Sequence, residues 1–324
     1  MGLTPIETRR EVILEVAEQA ERCGYSAFFL AEGWGYDASV LLAEIALRTN
    51  RIRIGTGVLN VWSRSAASIA MLAVTLADLS GGRFTLGLGA GSPQLTEGLH
   101  DVPFDKPVRQ LGAVTCQVRR LLDGHRIDPS SNAGIRPLRL AVRSEHTVPI
   151  QLAALGPQAI SLCGELADAW YPFLQPVSTL AQSVRLLDQG AARIPGRTTP
   201  QICPGLPAAV SSNPEQARAL ASWWIRFYLT SMGPLYQRTL RRAGLGAAVD
   251  SVLADEVAHP GDAHRPLPLE AQVLADELTI SGDTDQARAG LERWYEAGAQ
   301  MPVLVLPPHR PAQELLHILE VLGR

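Results

Sequence analysis

Four short clusters of glycine, tryptophan and polar residues stand directly behind apolar runs: Glu32-Gly33-Trp34-Gly35, Asn60-Val61-Trp62-Ser63, Gly89-Ala90-Gly91-Ser92-Pro93-Gln94 and Leu155-Gly156-Pro157. Glycine lets backbone amides approach a ligand closely, and a helix opening near Pro157 would offer free N–H groups and the positive end of its dipole to an anion such as a phosphate. Glu32 is the one acidic residue immediately behind an apolar run in these clusters. It is a candidate proton donor or substrate anchor, with pairing to a neighbouring arginine or capping of the next helix as the structural alternative. Any one cluster alone reads as a tight strand-to-helix turn. Their repetition behind successive runs points to a single ligand-binding face.

Other chemistries find less support. Gly87-Leu88-Gly89-Ala90-Gly91 matches only part of a dinucleotide fingerprint and does not follow the first strand of the chain, where that motif belongs. There is no phosphate-binding P-loop, no zinc-protease H-E-x-x-H and no G-x-S-x-G nucleophile elbow. His259 and His264 share one polar loop without cysteine or carboxylate partners of metal-site spacing, so no metal is expected. Trp223, Trp224, Phe227 and Tyr228 crowd one helix and read as core packing, with a substrate-pocket wall as the lesser reading.

The elements that must position the clusters recur along the chain. Apolar runs at 27–31, 52–59, 84–88, 149–154, 169–173 and 302–306 are expected strands, joined by one at 202–210 and a very short first strand within 2–6. Between most of them lie segments with helical spacing, such as Ile13, Val16, Ala17 and Ala20. Short, nearly continuous apolar strands each followed by a helix indicate a parallel sheet covered on both faces. Eight such units predict an α/β fold closed into a (β/α)8 TIM barrel, whose ligands bind at the carboxyl ends of the strands. Glycines punctuate the pattern: the helix over 65–79 should end at Ser80-Gly81-Gly82 and the first helix at Gly24. Two stretches, about 124–148 and 231–282, break the alternation. They read as insertions on a single domain spanning 1–324, since neither holds enough apolar residues for its own core, and substrate specificity is expected to lie in them.

The chain has 324 residues, 46% of them hydrophobic and 19% charged, with a formal net charge of −3. That balance gives no electrostatic reason to bind nucleic acid. The start, MGLTPIETRREV, has no apolar core of a signal peptide, and no run reaches the roughly 20 residues a membrane span needs. Cys23, Cys116, Cys163 and Cys203 are widely spaced without C-x-x-C, which suits reduced thiols and a cytoplasmic location. The alanine-rich helices of units two and three, including 66–77, lack an obvious solvent face, so a homodimer is expected.

The stretch IRIGTGVLNVWSRSAASIAMLAVTLADLSGGRFTLGLGAGSPQLTEGLHDVPFDKP at 52–107 resembles the central signature of the luciferase-like monooxygenases, in their deazaflavin-dependent branch. PIQLAALGPQAISLCGELADAW at 149–170 resembles the second signature, and similarity continues in GDTDQARAGLERWYEAGAQMPVLVLPP near the end. The resemblance implies a strand-three bulge with a cis peptide supporting the cofactor ring at Val58, Leu59 and Asn60. It also implies ring and substrate contacts near Glu32 and Trp34, cofactor contacts at Gly91 and Ser92, and phosphate contacts at Leu155, Gly156 and Pro157. Related sugar-phosphate dehydrogenases carry a catalytic glutamate where this chain has Ser92. The acid would then be Glu32, Gln94 would orient substrate, or solvent would supply the proton. The implied activity is hydride transfer between coenzyme F420 and a small organic substrate. The alternatives are an FMN-dependent monooxygenase or a non-catalytic barrel subunit.

Overall fold

The computed structural model describes residues 1–129, 134 and 136–323; residues 130–133 and 135, inside the first expected insertion, and Arg324 lie outside the described residues. The strands are β1 (Gly2–Leu3), β2 (Ala27–Leu30), β3 (Arg53–Thr56), β4 (Leu59–Asn60), β5 (Phe84–Gly89), β6 (Ile150–Ala153), β7 (Ala169–Trp170), β8 (Gln201–Ile202), β9 (Gly205–Val210), β10 (Ile280–Gly282) and β11 (Val303–Leu306). All their pairings are parallel. They run β11–β1–β2–β3–β5–β6–β7–β8 in order, with β4 beside β5 and with β9 against β11. Because β9 continues β8 across only Cys203 and Pro204, and Phe173 bridges to Gly205, the ring of strands closes. This is a (β/α)8 TIM barrel with eight strand positions, two of them interrupted.

Alternation along each strand sorts its side chains into two layers. Phe28 and Leu30 join the large cluster shared with the surrounding helices, whereas Ala27 and Phe29 belong to a smaller one with Ala169, Tyr171, Cys203 and Val303 inside the barrel. Glycine makes this interior possible. A Cβ on Gly55 would sit 2.7 Å from the Phe29 ring, and one on Gly87 only 1.9 Å from the Thr56 carbonyl oxygen.

The helices begin and end where the sequence placed them. Ser65 caps the helix Ala66–Leu79 by accepting from the Ser68 N–H at 3.1 Å, and Gly81 and Gly82 close it with φ of 61° and 85°. Arg83 then donates to the carbonyls of Ser80, Ile52, Ala46 and Thr49, tying two connections together at the amino ends of the strands.

Several expectations need correction. The run 52–59 is not one strand: β3 stops at Thr56, the Gly57–Val58 peptide is cis, and β4 resumes at Leu59. The first strand, Gly2–Leu3, is as short as expected within 2–6, but β10, at the end of the second expected insertion, pairs with β9. That insertion does build a core. Trp224, Ile225 and Leu229 of the helix Pro214–Thr230 pack with Leu240, Val249, Val252, Leu274 and Leu278 in a buried cluster that reaches the barrel through Leu174 and Val305. Its apolar residues are spread over several short helices and become sufficient only when pooled with the preceding helix. The first insertion follows the helix Pro107–Leu122 down to the amino ends of the strands, so none of its described residues lines the cavity described next.

Candidate active site

The carboxyl ends of the strands surround one cavity of ≈ 320 Å³. Its floor is the interrupted strand. Thr56 Oγ1 donates to the Gly87 carbonyl and accepts from the Gly87 N–H, both at 2.8 Å, which fixes β3 against β5 up to the break. Beyond it the Gly57 N–H donates to the Leu30 carbonyl at 2.8 Å, and the Glu32 N–H donates to the Val58 carbonyl at 3.3 Å. The bulge is thereby held between its neighbours with the Val58 side chain lying across β5. A Cβ on Gly89 would come within 2.6 Å of Val58 Cγ2.

Asn60 accepts the Trp62 N–H on Oδ1 at 2.9 Å, which orients its amide and leaves Nδ2 with no partner among the described residues. The residue is only 6% exposed and lines the cavity. An unsatisfied buried donor costs about 1–3 kcal/mol, so this amide is set to meet an acceptor on a ligand. Gly91, in the left-handed region at φ 66°, passes beside it. Ser92 is buried at the start of the short helix Pro93–Thr96, where its Oγ faces the Leu95 N–H at 3.5 Å.

At the opposite side Gly156 is the N-cap of the helix Pro157–Leu166, without a side chain to satisfy the first N–H groups. A Cβ there would meet nothing closer than Arg242 Nη1 at 3.9 Å. Arg238 and Arg242 lie one turn apart on the helix Pro234–Arg242, and among the described residues neither has a carboxylate partner; Arg238 also lines the cavity. Free amides, a helix dipole and two uncompensated guanidinium groups suit an anion.

The other expected site residues divide. Glu32 lies at the cavity edge but is occupied: both its oxygens accept from the Arg64 guanidinium, and Oε2 also accepts the Ala38 N–H at 3.1 Å. Arg64 is shared with Asp37 at 2.8 Å, and the Asp37 carboxyl is held below its usual range by hydrogen bonds from Ser39 and by Arg64, against the opposing effect of burial. The structure thus places Glu32 in the pairing and capping contacts of the structural alternative. Trp34 stands at the rim, 46% exposed. Leu59 is buried in the core beneath the floor, and Leu155 lines the cavity while Pro157 only starts its helix. Gln94 is exposed and lies outside the lining, its amide directed toward Gly233.

Sequence reasoning missed most of the aromatic half of the site, reaching only Tyr228 and only as the lesser reading of its helix. Tyr171 and Phe173 follow β7, Tyr228 comes from the crowded aromatic helix, and Tyr236 is carried by Pro234–Arg242. The positional rule that found Glu32 and Asn60 would have found Tyr171 had the strand been ended three residues earlier, at Trp170. Of the crowded aromatics, Trp224 is core and Tyr228 is wall. Burial pushes the phenols of Tyr171, Tyr228 and Tyr236 well above the ordinary tyrosine range, with neighbouring phenols adding to the effect at the first two. All three are therefore neutral O–H groups at physiological pH.

A parallel barrel with an interrupted third strand under its cavity and a bare helix N-terminus opposite defines a small-molecule enzyme scaffold of the TIM-barrel class. The chain belongs to the luciferase-like monooxygenase family, whose model matches residues 3–301. It is 30% identical over 315 residues to Rv3520c of Mycobacterium tuberculosis, provisionally described as a coenzyme F420-dependent oxidoreductase, covering 90% of this chain and 89% of that one. It is 32% identical over 275 residues to the 4-hydroxyprotoasukamycin monooxygenase of Streptomyces nodosus subsp. asukaensis, covering 73% and 70%. Among solved structures, the coenzyme F420-dependent tetrahydromethanopterin reductase of Methanopyrus kandleri superposes with a TM-score of 0.82 at 19% identity, over 100% of this chain and 96% of that one.

Proposed function

We propose that this chain is an F420-dependent oxidoreductase acting on a small organic substrate. The observation that carries the reading is the continuity of one cavity from the bulge at Val58 and Asn60 to the bare N-terminus at Gly156. A ring with hydrogen-bond acceptors fits against the first, and a phosphate fits the second. The described residues suit such a group: the unpartnered Asn60 Nδ2 meets an acceptor, and Gly156 leaves open space that no protein atom fills. The F420 dependence attributed to Rv3520c, similar over nearly its whole length, supports the deazaflavin in particular.

When bound, the deazaflavin supplies two-electron hydride chemistry that reacts poorly with oxygen. The protein's own part is to hold and orient. With the group bound, Val58 at the bulge would lie against the ring, the Gly156 end with Arg238 and Arg242 would hold the charged tail, and the apolar walls at Phe104, Leu111 and Phe173 would keep water from the rest of the cavity. Glu32, committed to Arg64 and the Ala38 N–H, positions the β2 loop and is not free to deliver a proton.

Similarity to a monooxygenase favours a second reading, an FMN-dependent oxygenase. Fluorescence titration of the purified protein separates the two. F420 should bind with micromolar or tighter Kd and FMN markedly more weakly; equal or reversed affinities refute the deazaflavin assignment. A homodimer belongs to the same proposal, supported by Val40, Leu47 and Met71, which stand exposed on the helices of units two and three. Among the described residues no helix is long and apolar enough to cross a membrane.

A further inference from the structure

Tyr171, Tyr228 and Tyr236 converge on the substrate side of the cavity from three different elements: the end of β7, the helix Pro214–Thr230 and the helix Pro234–Arg242. The rings of Tyr228 and Tyr236 meet edge to face with centroids 5.1 Å apart, and Phe173 packs on Tyr228 at 4.8 Å. Tyr171 is braced by Phe29 at 6.1 Å. These contacts fix the rings but leave the hydroxyls unused. None of the three makes a hydrogen bond to any described residue, although Tyr171 and Tyr228 are only 5% and 6% exposed. Buried tyrosine hydroxyls ordinarily find a protein partner. Three that do not, with their hydroxyls open to one cavity, are free to donate to an acceptor from outside the chain.

The surroundings narrow the acceptor. Apart from these phenols, the walls nearest them are Phe173, Met232, Leu235 and Val305, with no carboxylate among the lining residues of that side. Arg238, two residues on from Tyr236, is the one cation among the described lining residues and is assigned to the anionic tail; away from it a carboxylate ligand would exchange full hydration for neutral donors and apolar walls, an unfavourable trade. A neutral oxygen on an apolar skeleton would not. Resting on the oxidoreductase reading for its functional meaning, we propose that these three tyrosines form a phenol cradle that selects ligands with an apolar body and one neutral carbonyl or hydroxyl oxygen, and that this is the specificity-determining half of the site.

The cradle is tested on the protein without cofactor, so that its outcome is independent of deazaflavin binding. Two probes of similar shape are compared by calorimetric titration, 4-phenyl-2-butanone, which carries a ketone oxygen, and butylbenzene, which lacks it. Each neutral hydrogen bond contributes about 0.5–1.5 kcal/mol, or roughly 2- to 12-fold in affinity. The ketone should therefore bind wild-type protein at least about fivefold more tightly than the hydrocarbon. The single variants Y171F, Y228F and Y236F and the triple variant keep the rings. Hydrocarbon affinity should stay within about twofold of wild type, while the ketone preference shrinks in the single variants and falls to about parity in the triple. Circular dichroism identifies any variant that does not fold, and the remaining single variants then carry the comparison. An undiminished ketone preference in the folded variants overturns the cradle and assigns the acceptor to another donor such as Asn60. Absence of ketone preference in the wild type overturns it equally.

Discussion

Replacing Gly156 by alanine separates a ligand-binding role from a structural one, because the structure assigns the two roles opposite consequences. The residue sits at φ −85° and ψ 148°, a conformation that any L-amino acid adopts. The added methyl would have its nearest neighbour, Arg242 Nη1, at 3.9 Å, an ordinary van der Waals distance. No steric cost to folding arises. Loss of an N-cap glycine costs a few tenths of a kcal/mol or somewhat more, and the stiffer unfolded chain returns about 0.4–1 kcal/mol, so the net change stays within about 0.5 kcal/mol. For a chain of this size that corresponds to a Tm change of about 2 °C or less. Binding is another matter. The methyl would stand at the helix N-terminus beside Arg242, in the space assigned to the anion, and loss of one charge-assisted hydrogen bond to a phosphate costs about 1.5–3 kcal/mol, or roughly 10- to 150-fold in Kd. Fluorescence titration with F420 beside a thermal melt measures both quantities on one preparation. An F420 affinity within threefold of wild type in a fully folded variant would refute the anion seat at this helix end.

Three further outcomes are expected. Glu32→Gln should lower the thermal midpoint by several degrees, since it removes charge-assisted bonds to a guanidinium only 19% exposed and weakens the contact to the Ala38 N–H; an unchanged midpoint with turnover reduced about 10²-fold would restore the proton-donor role to Glu32. Gly87→Ala should cost 3 kcal/mol or more and yield little soluble protein, because its Cβ would overlap the Thr56 carbonyl at 1.9 Å; a stable variant would contradict the packing of the barrel interior. Asp255, lowered from 3.8 to about 2 by hydrogen bonds from Arg265 and then Arg226, stabilises the fold above its unfolded value. That contribution should be lost as pH falls from about 4 to 2, read as an acid transition in tryptophan fluorescence from the neighbouring cluster around Trp224 that R265M shifts to higher pH; an unshifted transition would remove Asp255 from the cause.

The barrel was legible because its signals are local and repeated. Ala27–Leu30 and Phe84–Gly89 announce themselves as apolar runs, and Ser65 with Gly81 and Gly82 marks both ends of one helix within a few residues. Part of the cavity was legible for the same reason: Asn60, Gly91, Ser92 and Gly156 come within four residues of the end of an expected apolar run and line the cavity, while Val58, which also lines it, was expected only from the family resemblance. What escaped depends on tertiary partners. For Glu32 the sequence left proton donor and arginine pairing side by side, and only the fold brings Arg64, 32 residues on, to both its oxygens. Tyr236 and Arg238 sit in a helix of strongly polar composition, and nothing in PLYQRTLRR indicates that a buried cluster further along the chain turns its apolar edge into the mouth. Gln94 lies only two residues past the buried Ser92, and the single helical turn between them carries it outside the cavity.

The small core around Trp224 and Val249 has a consequence for how such a barrel changes over generations. Cofactor-facing residues are fixed by strand pairings that every other strand depends on, so a substitution there propagates round the ring. The helix bearing Tyr236 is instead supported by side chains drawn mainly from 214–278, which meet the barrel at Phe173, Leu174, Val305 and the Ala208 carbonyl. A lineage can therefore redraw the chemical menu it accepts, by exchanging residues on that outboard support, while the redox half stays untouched. The same partition offers a seam along which segments from related barrels could be grafted, with the ring of strands as the constant frame.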